Sequence, residues 1–153
     1  MSDLRSLYQD VILDHSKRPR NFHPNPEADH HANGFNPLCG DKVTIYLTLQ
    51  DDHIKEISFQ GSGCAISTAS ASILTETLKG KTRKEAEEIF EVFHGLVTGK
   101  PVETAGAPAL GKLAVFSGVC EFPVRVKCAS LAWHTMKSAL ESNTPPVVTT
   151  EEE

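Results

Sequence analysis

Three cysteines and one aspartate are the residues of this sequence whose types could bind a metal ion together. Cys39 and Asp41 lie two positions apart, and Cys64 and Cys128 follow farther along the chain. Three thiolates and one carboxylate provide four ligands, which is the number that a tetrahedral zinc ion takes. Side chains two positions apart in an extended strand point to the same face, so we expect Cys39 and Asp41 to project side by side.

Composition limits the classes of protein to which the chain can belong. Its 153 residues fit one domain, and a net charge of −5 argues against nucleic acid as the partner. No stretch is long and apolar enough for a membrane span, and the N-terminus lacks the apolar core of a signal peptide. We therefore expect a cytoplasmic protein that binds neither nucleic acid nor membranes.

The compartment and the spacing decide how the four cysteines are interpreted. Cytosolic cysteines are metal ligands or reactive thiols more often than disulfides. No two cysteines have C-x-x-C spacing, so the sequence indicates neither a zinc ribbon nor a thioredoxin-like motif. The fourth cysteine, Cys120, is interpreted as a loop thiol outside the ligand set.

Hydrophobic periodicity predicts an α+β fold with a small antiparallel sheet of about three strands and packed helices. Apolar and polar residues alternate over 42–50 and 54–60, which indicates a hairpin turning at 51–53. We expect a third strand from 29–36, because two strands alone are marginally stable.

The rest of the chain is predicted to be helical or irregular. A single domain should span 1–142, and the tail 143–153, with its two prolines and three final glutamates, should be disordered. Apolar stripes, caps and helix-ending residues predict helices over 4–15, from 64 to 80, from the Thr82–Glu85 capping box to about 93, and from 123 to 140, with a short helical turn near 110–116.

These helices matter because they place two of the cysteines. Cys64 and Cys128 fall near predicted helix N-termini, where free N–H groups and the helix dipole favour thiolate over thiol. Arg125 and Lys127 flank Cys128 and are expected to offset the negative charge of a zinc site with four anionic ligands.

The Asp41 carboxylate binds zinc less strongly than a thiolate does, which suggests an exchangeable ligand and a function beyond folding.

The ordered set of motifs resembles the U-type iron–sulfur cluster assembly proteins, the NifU N-terminal or IscU-like family, and above all its SufU branch. The resemblance covers roughly Leu4 to Leu140. The matching pieces are Tyr8, Asp14-His15, Pro19-Arg20-Asn21, Cys39-Gly40-Asp41, Gly63-Cys64, Phe122-Pro123-Val124-Arg125 and Cys128-Ala129-Ser130-Leu131-Ala132.

The resemblance implies a function as well as a fold. It implies that Cys39, Asp41, Cys64 and Cys128 bind zinc and that Cys39 accepts persulfide sulfur from a SufS-type cysteine desulfurase. A histidine of the desulfurase would replace Cys39 at the metal. The sulfur would then pass to a downstream Suf scaffold or to apo-proteins, so that the protein is a sulfurtransferase-like carrier rather than an ordinary enzyme.

Two other functions remain open at this point. IscU-like scaffolds assemble a 2Fe-2S cluster on the same ligands, for transfer to apo-proteins. Such scaffolds have a histidine before the last cysteine, where this chain has Lys127, and a shorter connection before that cysteine. Both departures favour zinc over an iron–sulfur cluster or iron. The third possibility is a zinc-stabilised interaction module without sulfur chemistry.

Overall fold

The computed structural model describes residues 2–37, 40–98, 115–116, 122–141 and 147–149. Cys39 and Cys120 therefore lie outside the described residues, as does most of the region predicted to hold a short helical turn. Of that region, Val115 and Phe116 are described, and both are in a 3₁₀ turn and buried.

Within these ranges the chain forms four helices and a sheet of four strands. The elements, in chain order, are α1 (Ser2–Lys17), β1 (His30–Asn36), β2 (Asp41–Gln50), β3 (His53–Ser62), α2 (Ala65–Leu78), α3 (Arg83–Thr98), α4 (Pro123–Glu141) and β4 (Val147–Thr149). The α+β prediction and the third strand before Cys39 are confirmed.

The strands β1, β2 and β3 are antiparallel neighbours, and the full order of the sheet is β3-β2-β1-β4. Asp51 and Asp52 turn the β2–β3 hairpin with φ angles of 52° and 67°. Positive φ at both central residues is the geometry that matches the twist of paired strands. His53, expected in the turn, instead begins β3 and pairs with Gln50.

One face of the sheet forms the core with the helices. Alternate residues of β2, namely Val43, Ile45 and Leu47, are buried, whereas the residues between them are more exposed. α4 packs on β1 and β2, and α2 packs on β3. At Gly34 an added Cβ would overlap the Thr135 hydroxyl oxygen, so this glycine allows α4 to approach β1 closely.

The three later helices meet around Trp133, which is fully buried in α4. Its ring stacks on Phe93 of α3 with centroids 4.6 Å apart, and its indole N–H donates to the Ser70 hydroxyl of α2 at 3.1 Å.

The capping box at the start of α3 is confirmed, because Thr82 and Glu85 exchange side-chain-to-backbone hydrogen bonds of 2.9 and 3.0 Å.

Three residues of the C-terminal tail differ from the expectation of disorder. Val147–Thr149 form β4, which pairs in parallel with β1. The β-branched side chains of this segment favour a strand, and the edge of β1 offers backbone groups with which a strand can pair. Composition alone does not reveal this edge, so the strand was not predicted. The remaining tail residues lie outside the described ranges.

Among the helices that the structure describes, none combines the length and the apolar character that crossing a membrane requires.

A buried hydrogen-bond network attaches α1 and the following turn to α2. The Ser72 hydroxyl oxygen lies 2.7 Å from Nδ1 of buried His15 and accepts a hydrogen bond from the Arg20 backbone N–H at 2.8 Å. Arg20 also pairs with Asp14 at 2.7 Å. The family-like motifs Asp14-His15 and Pro19-Arg20-Asn21 thus have a structural role in this chain.

Ser72→Ala should lower the free energy of unfolding by about 1–3 kcal/mol, because it leaves both His15 Nδ1 and the Arg20 N–H without this hydroxyl. Chemical denaturation monitored by circular dichroism measures the change. Thr77→Ala, a partly exposed hydroxyl on the same helix, is the matched control and should cost less than about 0.5 kcal/mol. Equal effects of the two substitutions would contradict the network.

Candidate metal centre

The loop between β1 and β2 brings Asn36 and Asp41 together. Asn36 ends β1 and Asp41 begins β2, and the two are direct partners in the antiparallel ladder. The Gly40 N–H donates to the Asn36 carbonyl at 2.8 Å, and Gly40 has a φ of 71°, which favours glycine. The chain is therefore not extended at Gly40, and the direction of the Cys39 side chain, expected to project beside Asp41, lies outside the described residues.

Asp41 is fully buried at the start of β2. Its Oδ1 accepts a hydrogen bond from the Cys64 backbone N–H at 2.9 Å, and its Oδ2 accepts one from the Asn36 side-chain amide at 3.4 Å. Buried carboxylates require such partners, since burial without them is costly. The carboxylate thereby links the sheet to the N-terminus of α2.

Cys64 is the N-cap residue of α2. Its Sγ accepts a hydrogen bond from the Ser67 N–H at 3.4 Å and lies 3.9 Å from Asp41 Oδ2. The hydrogen bond with Cys128, followed by the backbone N–H groups of Ser67 and Ile66, lowers the pKa of the Cys64 thiol to about 6, although burial and the Asp41 charge raise it. The N–H groups at the N-terminus of α2 thus contribute to lowering the pKa of the Cys64 thiol, as expected for a residue at a helix N-terminus.

The third donor, Cys128, belongs to α4. It is buried in the second turn of α4, and its Sγ accepts from the Asn36 side-chain amide at 3.6 Å. The influence of the helix dipole is confined to the first turn, so the dipole argument made from the sequence applies to Cys64 and not to Cys128.

The donor atoms of Asp41, Cys64 and Cys128 lie within 4.8 Å of one another. Thiolate sulfurs that share a tetrahedral zinc ion are about 3.8 Å apart, given Zn–S bonds of about 2.3 Å. This cluster fits zinc after a small contraction. Covalent geometry alone keeps the Cα of Cys39 within about 7.6 Å of the Cα of Asp41, so the same loop contains a third thiol that would be the fourth ligand.

Arg125 and Lys127 were expected to balance the charge of the centre. Arg125 is exposed, and its guanidinium carbon lies 4.6 Å from the centroid of the Phe122 ring. Lys127 is partly buried and immediately precedes Cys128. Proximity along the helix is thus the support for an electrostatic role, which stays a prediction.

Two residues near the centre were given no role by the sequence argument. The buried Asn36 amide contacts Asp41 and Cys128, and Gly63 brings the backbone against Asp41. A Cβ added at Gly63 would lie 2.6 Å from Asp41 Oδ1. Gly63 belongs to the Gly63-Cys64 motif and Asn36 ends the predicted third strand, but only the folded chain shows that both lie against Asp41.

A small α+β domain with an Asp-Cys-Cys cluster at one end of its sheet is the class that the fold and this centre define. Residues 7–129 match the family described as the NifU-like N terminal domain, and the chain belongs to that family. The family resemblance inferred from the motifs is confirmed.

The relatives carry two kinds of name. The chain is 38% identical over 141 residues to "Iron-sulfur cluster assembly scaffold protein IscU" of Streptococcus pyogenes serotype M1, covering 92% of this chain and 87% of that protein. It is 35% identical over 142 residues to "Zinc-dependent sulfurtransferase SufU" of Bacillus subtilis (strain 168), covering 91% and 92%.

A solved structure is similar to this chain over most of its length. The crystal structure of a candidate iron–sulfur cluster assembly scaffold protein for the SUF system, from Fervidobacterium islandicum AW-1, superposes with a TM-score of 0.80. It has 35% sequence identity and covers 89% of this chain and 98% of that one.

Gly63→Ala should weaken zinc binding roughly tenfold and lower the free energy of unfolding by about 1–3 kcal/mol, because the added methyl group displaces the buried Asp41 carboxylate. Competition with a chromogenic chelator and chemical denaturation measure the two effects. Ser62→Ala, at the exposed neighbouring position, should change neither. Wild-type zinc affinity in Gly63→Ala would show that a side chain at this position does not displace the Asp41 carboxylate.

Proposed function

We propose that the protein is a zinc-dependent sulfur acceptor of iron–sulfur cluster assembly, which receives persulfide sulfur from a SufS-type cysteine desulfurase. The observation that carries the proposal is the convergence of Asp41, Cys64 and Cys128 donor atoms within 4.8 Å, beside the loop that contains Cys39. The naming of the Bacillus subtilis relative as a zinc-dependent sulfurtransferase supports it.

In this proposal Cys39, Asp41, Cys64 and Cys128 are the zinc ligands, and zinc keeps the thiols deprotonated and protected from oxidation. Three of the ligands belong to β2, to the N-cap of α2 and to α4. Cys39 instead belongs to the loop between two strands, so its exchange for a histidine of the desulfurase requires no movement of a helix. Arg125 and Lys127 would offset the negative charge of the ligands.

The chemistry assigned to Cys39 is thiol–persulfide exchange. The Cys39 thiolate attacks the outer sulfur of the cysteine persulfide on the desulfurase, so that a new S–S bond forms on Cys39 and the cysteine of the desulfurase leaves as a thiolate. No electrons are gained or lost overall. The persulfide then passes to a downstream Suf scaffold or to apo-proteins.

The second candidate function is a scaffold for a 2Fe-2S cluster. Iron–sulfur clusters use the same thiolates as zinc, and the Streptococcus pyogenes relative is named a scaffold. Lys127 in place of a histidine and the long connection between Cys64 and Cys128 favour zinc.

Metal content decides between these functions. Protein purified anaerobically without a tag should contain about one zinc per chain by elemental analysis and should not absorb visible light, since Zn²⁺ is d¹⁰. Asp41→Asn, which keeps the hydrogen-bond acceptor for the Cys64 N–H but loses the charge, should retain less zinc than Asp10→Ala, an exposed aspartate in α1. Iron and sulfide with a brown chromophore would instead establish the scaffold.

Cys39→Ala should retain the fold and abolish stimulation of the desulfurase, because the acceptor thiolate is gone. Cysteine turnover by a SufS-type desulfurase and mass spectrometry of persulfidated peptides measure the loss. Cys120→Ala removes a thiol outside the ligand set and is the matched control, which should keep full stimulation. Stimulation by Cys39→Ala at the level of the control would overturn the role of Cys39.

A further inference from the structure

Asn36 is a buried polar residue that contacts two of the candidate ligands at once. It lies at the end of β1 with no exposed surface. Its side-chain nitrogen Nδ2 lies 3.4 Å from Asp41 Oδ2 and 3.6 Å from Cys128 Sγ. An amide NH₂ group has two N–H donors, so one can be directed to the carboxylate and the other to the sulfur.

The backbone of the same residue organises the loop that contains Cys39. The Asn36 carbonyl accepts the Gly40 N–H at 2.8 Å, and Asn36 pairs with Asp41 across the ladder. Asn36 therefore connects the start of the Cys39 loop, the carboxylate at its end and the thiol of α4. Through its side chain, Asn36 contacts both Asp41 and Cys128.

The chemistry of the amide suits this position. Asp41 and a Cys128 thiolate are both anionic and would repel each other at this distance. A neutral donor between them partly offsets the repulsion, and it keeps its protons over the whole physiological pH range. A lysine would compete with the metal as a cation, and an apolar residue would leave both acceptors without this donor.

We infer that Asn36 is a positioning residue for the metal centre: its amide fixes Asp41 and Cys128 in the arrangement that binds the metal. The inference rests on the proposed function, because it assumes that these residues are ligands. Outer-shell hydrogen-bond partners of metal ligands typically change metal affinity 10- to 100-fold when they are removed. In this chain such a partner would hold two ligands in place while Cys39 exchanges.

The test compares wild type, Asn36→Ala and Asn33→Ala. Asn33 is on the same strand but exposed, and its described side-chain contact is with Thr44, away from the centre. Zinc affinity is measured by chelator competition, and Co²⁺ is used as a spectroscopic probe of thiolate ligation. We expect Asn36→Ala to bind zinc 10- to 100-fold more weakly and to change its thiolate-to-cobalt absorption, and Asn33→Ala to match wild type.

A purely structural role predicts a different result. In that case Asn36→Ala would lower the stability of the metal-free protein but would keep wild-type zinc affinity and the wild-type cobalt spectrum, and the inference would be overturned. Asn36→Ser keeps one donor and serves if the alanine variant does not fold; we expect its affinity to lie between those of wild type and Asn36→Ala, and an affinity equal to wild type would count against the inference.

The experiment also separates this inference from the function on which it rests. If wild type and Asn33→Ala bind zinc and Asn36→Ala binds it equally well, the positioning role fails while the zinc site stands. If wild type binds neither zinc nor cobalt, the proposed function fails and the inference fails with it.

Discussion

The hydrogen bond between the Asp41 carboxylate and the Cys64 N–H is the contact on which the centre depends. A buried carboxylate is destabilising unless charge-assisted hydrogen bonds or a cation compensate it. Here the backbone N–H of Cys64, the N-cap residue of α2, and the side-chain amide of Asn36 provide two of those bonds. This pairing fixes the start of β2 against the start of α2, and it requires Gly63, where a side chain would collide with Asp41.

The packing of α4 brings the third donor to the same place. α4 lies across β1 and β2 because Gly34 lets the helix approach the sheet and because Trp133 locks it to α2 and α3. Cys128 faces the end of β1 as a consequence of this packing. Residues far from the centre thus determine whether its thiol meets Asn36, and large changes at Trp133 or Gly34 would act on the metal site through the position of the helix.

The sequence predicts the elements better than the contacts between them. The period-2 alternation of β2, the apolar stripes of the helices and the capping box at Thr82 are local signals, and each corresponds to an observed element. Pairing of Val147–Thr149 with β1 was missed because it depends on an edge that exists only after folding. Asn36 was predicted only as the last residue of the third strand, since its burial beside Cys128, 92 positions away, leaves no local pattern.

The candidate ligands divide into two groups by the elements that carry them. Asp41, Cys64 and Cys128 belong to a strand, a helix cap and a helix that are joined through the core, so the fold itself brings their donor atoms within 4.8 Å of one another. A preorganised three-ligand set needs little rearrangement when its fourth ligand changes, because the entropy of ordering it is spent during folding. A purely structural zinc site would gain nothing from this division, since it keeps all four ligands. A site that exchanges one loop ligand for that of a partner gains directly, because the other three hold the metal throughout. The division between three ligands on packed elements and a thiol on a loop therefore favours sulfur transfer over a role in folding alone.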